Sequence, residues 1–193
     1  MRLPIKLSVH TLQAWLPLAV VVTGLAGLNY LTNQQGLRQG ANDPQLQLAQ
    51  AAAYGLTHGH AASDVLPNQE VDISDGATLT PFVIIYDQDG NVLASSASIK
   101  DLPPVPPKGV FSYASQHGRD VLTWMPNGKG RFATVVVPYS AGSTQGYVLS
   151  GRSLYEVERR EEGTFQLTIL AWVVTMAASL LAVSYQQQGK RAV

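Results

Sequence analysis

The sequence predicts an α+β domain held between two membrane-spanning helices, and three observations carry that expectation. Two charge-free apolar stretches, residues 12–31 and 167–185, bracket the chain. All thirteen acidic residues lie between them, from Asp43 to Glu162. Between the stretches, β-branched runs alternate with turn residues and helix-forming segments, the pattern of a sheet with helices packed on it.

The two stretches come first. At a rise of about 1.5 Å per residue, about 20 apolar residues cross a hydrocarbon core of roughly 30 Å, and both reach that length. Trp15, Tyr30, Trp172 and Tyr185 lie in or near their ends, where amphipathic rings suit the headgroup boundary. The tips carry only basic charges, Arg2, Lys6, Lys190 and Arg191, and basic tips belong in the cytoplasm. The segment 32–163 holds nine basic against thirteen acidic residues, so it is expected outside. The expected division is a cytoplasmic tip 1–11, a first span 12–31, an extracytoplasmic domain 32–163, a second span 164–186 and a cytoplasmic tip 187–193. The alternative for the first stretch is a signal peptide, with Gly24 and Ala26 flanking Leu25 at a processing site.

About 130 residues between the spans suffice for one domain with its own core. Cysteine is absent, which excludes disulfides, thiol nucleophiles and cysteine metal sites. The formal net charge is zero and no basic run occurs, so nucleic acid is not an expected partner. The tips are too short for a kinase, cyclase or DNA-binding domain, so cytoplasmic output is expected from a partner.

Within the central segment, Asn42-Asp43-Pro44 offers a capping residue followed by proline, predicting a helix over 44–57. Leu46, Ala49, Ala53 and Leu56 give it an apolar stripe. Residues 57–81 read as a long polar connection. Phe82-Val83-Ile84-Ile85-Tyr86, the turn pair Asp89-Gly90 and the resumed extension at 92–96 predict a β-hairpin. Prolines at 103, 104, 106 and 107 predict a stiff extended crossing, and 111–117 a short helix or turn. Strands follow at 121–125, 132–139 and 147–151, joined by turn-rich connections, and from Ser153 a helix leads towards the second span. The sum is a five-stranded antiparallel sheet with flanking helices.

This order, with the hairpin Phe-Val-Ile-Ile-Tyr-Asp-Gln-Asp-Gly-Asn-Val-Leu-Ala-Ser-Ser at 82–96 and Gly-Tyr-Val-Leu-Ser-Gly-Arg-Ser-Leu at 146–154, resembles a single Cache, PAS-like extracytoplasmic sensor domain. The resemblance covers roughly residues 44–162. It implies a binding module on which the concave face of the sheet holds a small ligand. It departs from the usual receptor in that no output domain follows the second span.

Tyr86, Trp124, Arg131, Tyr139 and Arg152 lie on or beside the predicted sheet and form the candidate ligand-binding set. A guanidinium grips a carboxylate in two places, and aromatic walls enclose an apolar body. The plainer reading makes Tyr86 and Trp124 core residues and both arginines solvated. His58 and His60 with Asp64 are the nearest thing to a metal set, but residues two apart do not share a helix face and a third histidine with ligand spacing is missing. Serines are frequent, but none lies in a G-x-S-x-G elbow, and no phosphate-binding spacing precedes a helix. No cofactor, metal site or catalytic residue is expected.

The sequence thus leads to a two-span, non-enzymatic membrane protein whose outer sensor module binds a small ligand or a protein. Its expected partners are the membrane, a small molecule, a membrane protein supplying output and, as an option, a second copy in a homodimer. The alternative is a structural or assembly subunit that docks without sensing.

Overall fold

The computed structural model describes the backbone of residues 9–191 and side chains as far as Gln188. The basic tip residues Arg2, Lys6, Lys190 and Arg191 lie outside the described side chains. The elements in chain order are α1 (Val9–Thr57), β1 (Val71–Asp72), β2 (Phe82–Asp87), β3 (Val92–Ser95), β4 (Ala97–Ser98), α2 (Lys108–His117), β5 (Asp120–Trp124), β6 (Phe132–Ala141), β7 (Thr144–Ser153) and α3 (Tyr155–Arg191). The described residues fall into two compact units. One is formed by the chain up to Gly36 and from Arg160 onward, the other by Leu37–Arg159.

The first unit is a helix pair, and α1 and α3 each contain a window long and apolar enough to cross a membrane. Its apolar side chains, among them Leu16, Val20, Leu25, Leu28, Leu167, Leu170 and Val174, are exposed, as in a protein whose outer solvent is lipid. Between the helices, polar side chains supply the contacts that hydrophobicity cannot supply in lipid. The Trp15 indole N–H donates to Ser179 Oγ at 2.9 Å, and that of Trp172 to Thr23 Oγ1 at 3.0 Å. Gln187 Nε2 donates to the His10 carbonyl at 3.1 Å, the Tyr30 and Phe165 rings meet edge to face at 5.5 Å, and the Gln34 amide donates to the Glu161 carboxylate.

The second unit is α+β. Its five strands run in the order β3-β2-β7-β6-β5 with every pair antiparallel, so β7, last in sequence, is central in the sheet. Directly paired residues share a face. On one face Phe82, Ile84, Tyr86, Leu149, Phe132, Val136 and Trp124 form a core. It is covered by Val110, Phe111 and Ala114 of α2 and by Val71, Ile73 and Ala97 of the two-stranded parallel β1–β4 ribbon. On the other face Val83, Ile85, Tyr139 and Val148 pack against Ala49, Ala52, Ala53 and Leu56 of α1. Burial on both faces is why β2 reads as an unbroken apolar run: Phe82 to Tyr86 are all fully buried.

Two local features hold β7 in place. Gly151 pairs with Phe82, and a Cβ there would lie 2.4 Å from the Phe82 ring, so the ring packs directly on the glycine backbone. On the opposite face the Ser150 hydroxyl donates to Gln45 Oε1 at 2.9 Å, with both residues buried, which fixes α1 across the strand.

Three features differ from the sequence expectation. α1 does not begin at Asp43-Pro44 but runs through it from Val9. Gln34, Gln35, Leu37, Arg38 and Gln39 are good helix formers, and the missing Pro44 N–H removes only the bond to the Gly40 carbonyl. The connection at 57–81 contains β1, which pairs with β4. The hairpin register shifts by one between Ile85 and Tyr86, so that Leu93 bulges outwards and is exposed.

Gln45→Ala leaves the Ser150 hydroxyl buried without its acceptor, a loss of about 1–3 kcal/mol. Gln45→Leu combined with Ser150→Ala removes both polar groups and is expected to recover most of that loss, read as the melting temperature of the second unit in the full-length protein.

Candidate functional site

Tyr86, at the end of β2, is fully buried in the α2-side core. Its hydroxyl donates to the Pro104 carbonyl at 2.7 Å, and its ring lies 5.0 Å from that of Phe111. The proline crossing provides that acceptor: Pro104 and Pro106 are buried while Val105 between them is exposed, as an extended strap requires. Burial pushes the Tyr86 phenol far above the usual tyrosine range.

Trp124 is buried on the same face but belongs to the row Trp124, Phe132, Ser153, whereas Tyr86 belongs to the row Tyr86, Tyr147, Pro138. Those rows are six residues apart along β7, about 20 Å at roughly 3.3 Å per residue. Phe82, Ile84, Leu149 and Val136 occupy the rows between, and the Phe82 ring meets that of Phe132 edge to face at 5.6 Å. Tyr139 lies on the opposite face, in the row Tyr139, Gly146, Asp87, within the α1-side core. Burial, and secondarily the Asp87 carboxylate, raise its phenol pKa.

The two arginines converge on the start of α3. Arg131 Nη1 lies 3.1 Å from Glu158 Oε1, and Arg152 Nη2 lies 3.5 Å from Glu156 Oε2. Both pairs are largely solvated, so each is worth about 0–1 kcal/mol and serves mainly to orient the first turn. The five candidate residues are therefore divided among two core faces and one helix junction.

That junction gathers several polar contacts of the second unit. Ser153, buried at the end of β7, donates its hydroxyl to the Gly76 carbonyl and accepts the Tyr155 N–H at 3.1 Å, capping α3. The Leu154 N–H donates to the Arg131 carbonyl at 2.7 Å. Two loops thus meet the helix start, and they also meet each other. The Asn127 side chain donates to the Ser74 carbonyl at 2.5 Å, and a Cβ on Gly76 would lie 2.4 Å from Gly130 Cα. Gly76 and Gly130 have φ of 74° and 66°, so both the contact and the backbone require glycine. Sequence reading placed Gly76 in a long polar connection and Gly130 in a turn-rich one; a contact between residues 54 positions apart leaves no trace in local spacing.

Among the described residues, open grooves at the surface include two beside the sheet. One of about 390 Å³ runs along the β1–β4 ribbon, lined by Glu70, Val92, residues 95–98, Asp101 and Pro103. The other, about 280 Å³, lies between the hairpin turn and α2, where Ser115 Oγ and the Tyr147 hydroxyl are 2.7 Å apart. At that turn the Asp87 carboxylate accepts from the Asn91 side chain and from the Asn91 and Asp89 N–H groups. These bonds, the Asn91 side chain first, hold its pKa below the usual carboxylate value. Among the described residues no group of three His, Asp or Glu converges as a metal site, and the His58 ring instead lies 3.9 Å from that of Tyr54.

The Tyr86 phenol stays protonated in the folded protein to a higher pH than in the unfolded chain, where it ionises near 10. Its contribution to stability is complete below about pH 10 and is lost as pH rises above it. Tyr86→Phe is expected to cost about 1 kcal/mol at neutral pH by leaving the Pro104 carbonyl unpaired, and to flatten the alkaline decline. Melting curves from pH 7 to 11 measure both, and an unchanged alkaline slope contradicts the assignment.

The sequence matches no protein-family model and no curated protein.

Proposed function

We propose that this chain is a two-span membrane protein whose central domain is an extracytoplasmic, PAS/Cache-like docking module. It binds a protein partner and acts through α3 on a membrane protein that supplies cytoplasmic output; it is not an enzyme. The observation that carries this reading is the state of the sheet faces. In the sensors the sequence resembles, the concave face of the sheet holds the ligand, and here Phe82, Tyr86, Phe111, Trp124 and Phe132 fill the α2 side as Val83, Ile85, Tyr139 and Val148 fill the α1 side. Displacing such side chains for a ligand would forfeit burial worth about 1.5–3 kcal/mol each. Recognition is therefore assigned to the domain surface, where partner proteins dock without reopening a core.

A second reading keeps small-molecule sensing and moves it to the groove along the β1–β4 ribbon. Glu70 and Asp101 there favour a cationic amine, and the serines offer hydrogen bonds.

One screen separates the two. The full-length protein in lipid nanodiscs is melted against amines, amino acids, organic acids and divalent cations. A ligand at 100 times its dissociation constant adds about 2.7 kcal/mol of stability. Docking predicts no saturable shift with any of them. A saturable shift with an amine, lost in the Glu70→Gln/Asp101→Asn variant, establishes the groove as a sensor site and overturns the docking reading.

A further inference from the structure

We propose that the Gly76–Gly130 contact is a conformational joint, which when closed fastens the first turn of α3 to the domain and when open releases that turn without unfolding the sheet. The inference rests on the reading that the domain acts through α3, and supplies the part by which it does so.

The joint lies where two chains of contacts end. On the input side, the β1–β4 ribbon leads directly to Gly76: the Ile73 N–H donates to the Ser98 carbonyl at 3.0 Å, and the Gly76 N–H to the Ile73 carbonyl at 3.3 Å. The Lys100 N–H donates to Ser74 Oγ at 3.3 Å, so the turn at 99–102 moves with Ser74. A partner that displaces the ribbon therefore displaces Gly76. On the output side, the Gly76 carbonyl accepts from the Ser153 hydroxyl, whose oxygen in turn caps Tyr155. Gly130 precedes Arg131, which holds α3 twice, through its carbonyl on Leu154 and its guanidinium on Glu158. Separating Gly76 from Gly130 thus acts on every one of these fastenings at once.

The sheet does not share this dependence. β6 and β7 are paired through ten residues, and β7 is held on its other edge by β2 and across its face by Gln45. The fastenings at α3 are a few hydrogen bonds and two solvated ion pairs, Arg131–Glu158 and Arg152–Glu156, the composition of a segment that opens locally at low cost. Gly76 and Gly130 touch through backbone, so that contact is either made or broken, and the Asn127 side chain on the Ser74 carbonyl opens or closes beside it. A partner that binds one of these arrangements better than the other shifts their populations.

The test is amide hydrogen exchange on the full-length protein in nanodiscs, comparing residues 154–159 with the strands β6 and β7. Gly130→Ala drives a methyl into Gly76 and breaks the contact; Ser153→Ala removes the hydroxyl that holds the Gly76 carbonyl and leaves the Gly76–Gly130 backbone contact in place. Both are expected to speed exchange at 154–159 by about tenfold or more with β6 and β7 unchanged. Because the chain lacks cysteine, Arg131→Cys with Glu158→Cys can be bridged by a bifunctional thiol reagent. Bridging is expected to restore slow exchange in the Gly130→Ala background. Equal acceleration in α3 and the strands, or unchanged exchange at 154–159 in both variants, overturns the joint. The measurement needs no partner and no ligand, so its failure is distinct from failure of the docking reading, which the melting screen judges.

Discussion

The second unit depends on one strand. β7 lies in the middle of the sheet, pairs along its whole length with β6 and over residues 146–151 with β2, and contributes to both cores through Leu149 on one face and Val148 on the other. Both long helices are fixed to it. α1 crosses it at the Gln45–Ser150 bond, and α3 starts two residues after it ends. This doubles the constraint on β7: each residue must suit the sheet, and its ends must suit the helices. The glycines follow from that constraint, since Gly151 receives the Phe82 ring and Gly146 packs beneath Tyr139 with no room for a side chain.

A strand so placed divides its surroundings by chemistry. Apolar burial dominates at its middle, where large rings pack on one another and hydrophobic transfer stabilises the domain. Polar contacts gather at its end, where Ser153, Leu154, Arg131 and Glu158 meet. Each such contact adds at most about 1–2 kcal/mol, far less than the burial of the core, and together they fasten the first turn of α3 to the end of β7.

Much of this architecture is legible in the sequence. The apolar run at 82–86, the Asp89-Gly90 turn and the strands near 121, 132 and 147 are local signals, and each leads to a strand within a few residues of its expected place. The start of α1 was misread because a cap followed by proline is also compatible with a helix that continues through it. The β1–β4 ribbon was missed because two-residue strands carry no periodicity. The candidate site was less legible. Tyr86 and Trp124 do lie on one face, but strand order and register, which spacing does not encode, set them about 20 Å apart. The arginines were marked as ligand grips, and their acidic partners proved to be in α3, Glu158 and Glu156, contacts that require the junction to be folded before they can be seen.

The central claim is that a packed domain is presented outside the membrane by two spans. Single-cysteine labelling with a membrane-impermeant maleimide tests it most directly, since the chain has no cysteine of its own. Gln116→Cys on α2 and Gln188→Cys near the end of α3 are both exposed positions. In intact cells the cysteine at 116 is expected to label fully and that at 188 only after permeabilisation. The reverse pattern, or labelling of both from outside, contradicts the account.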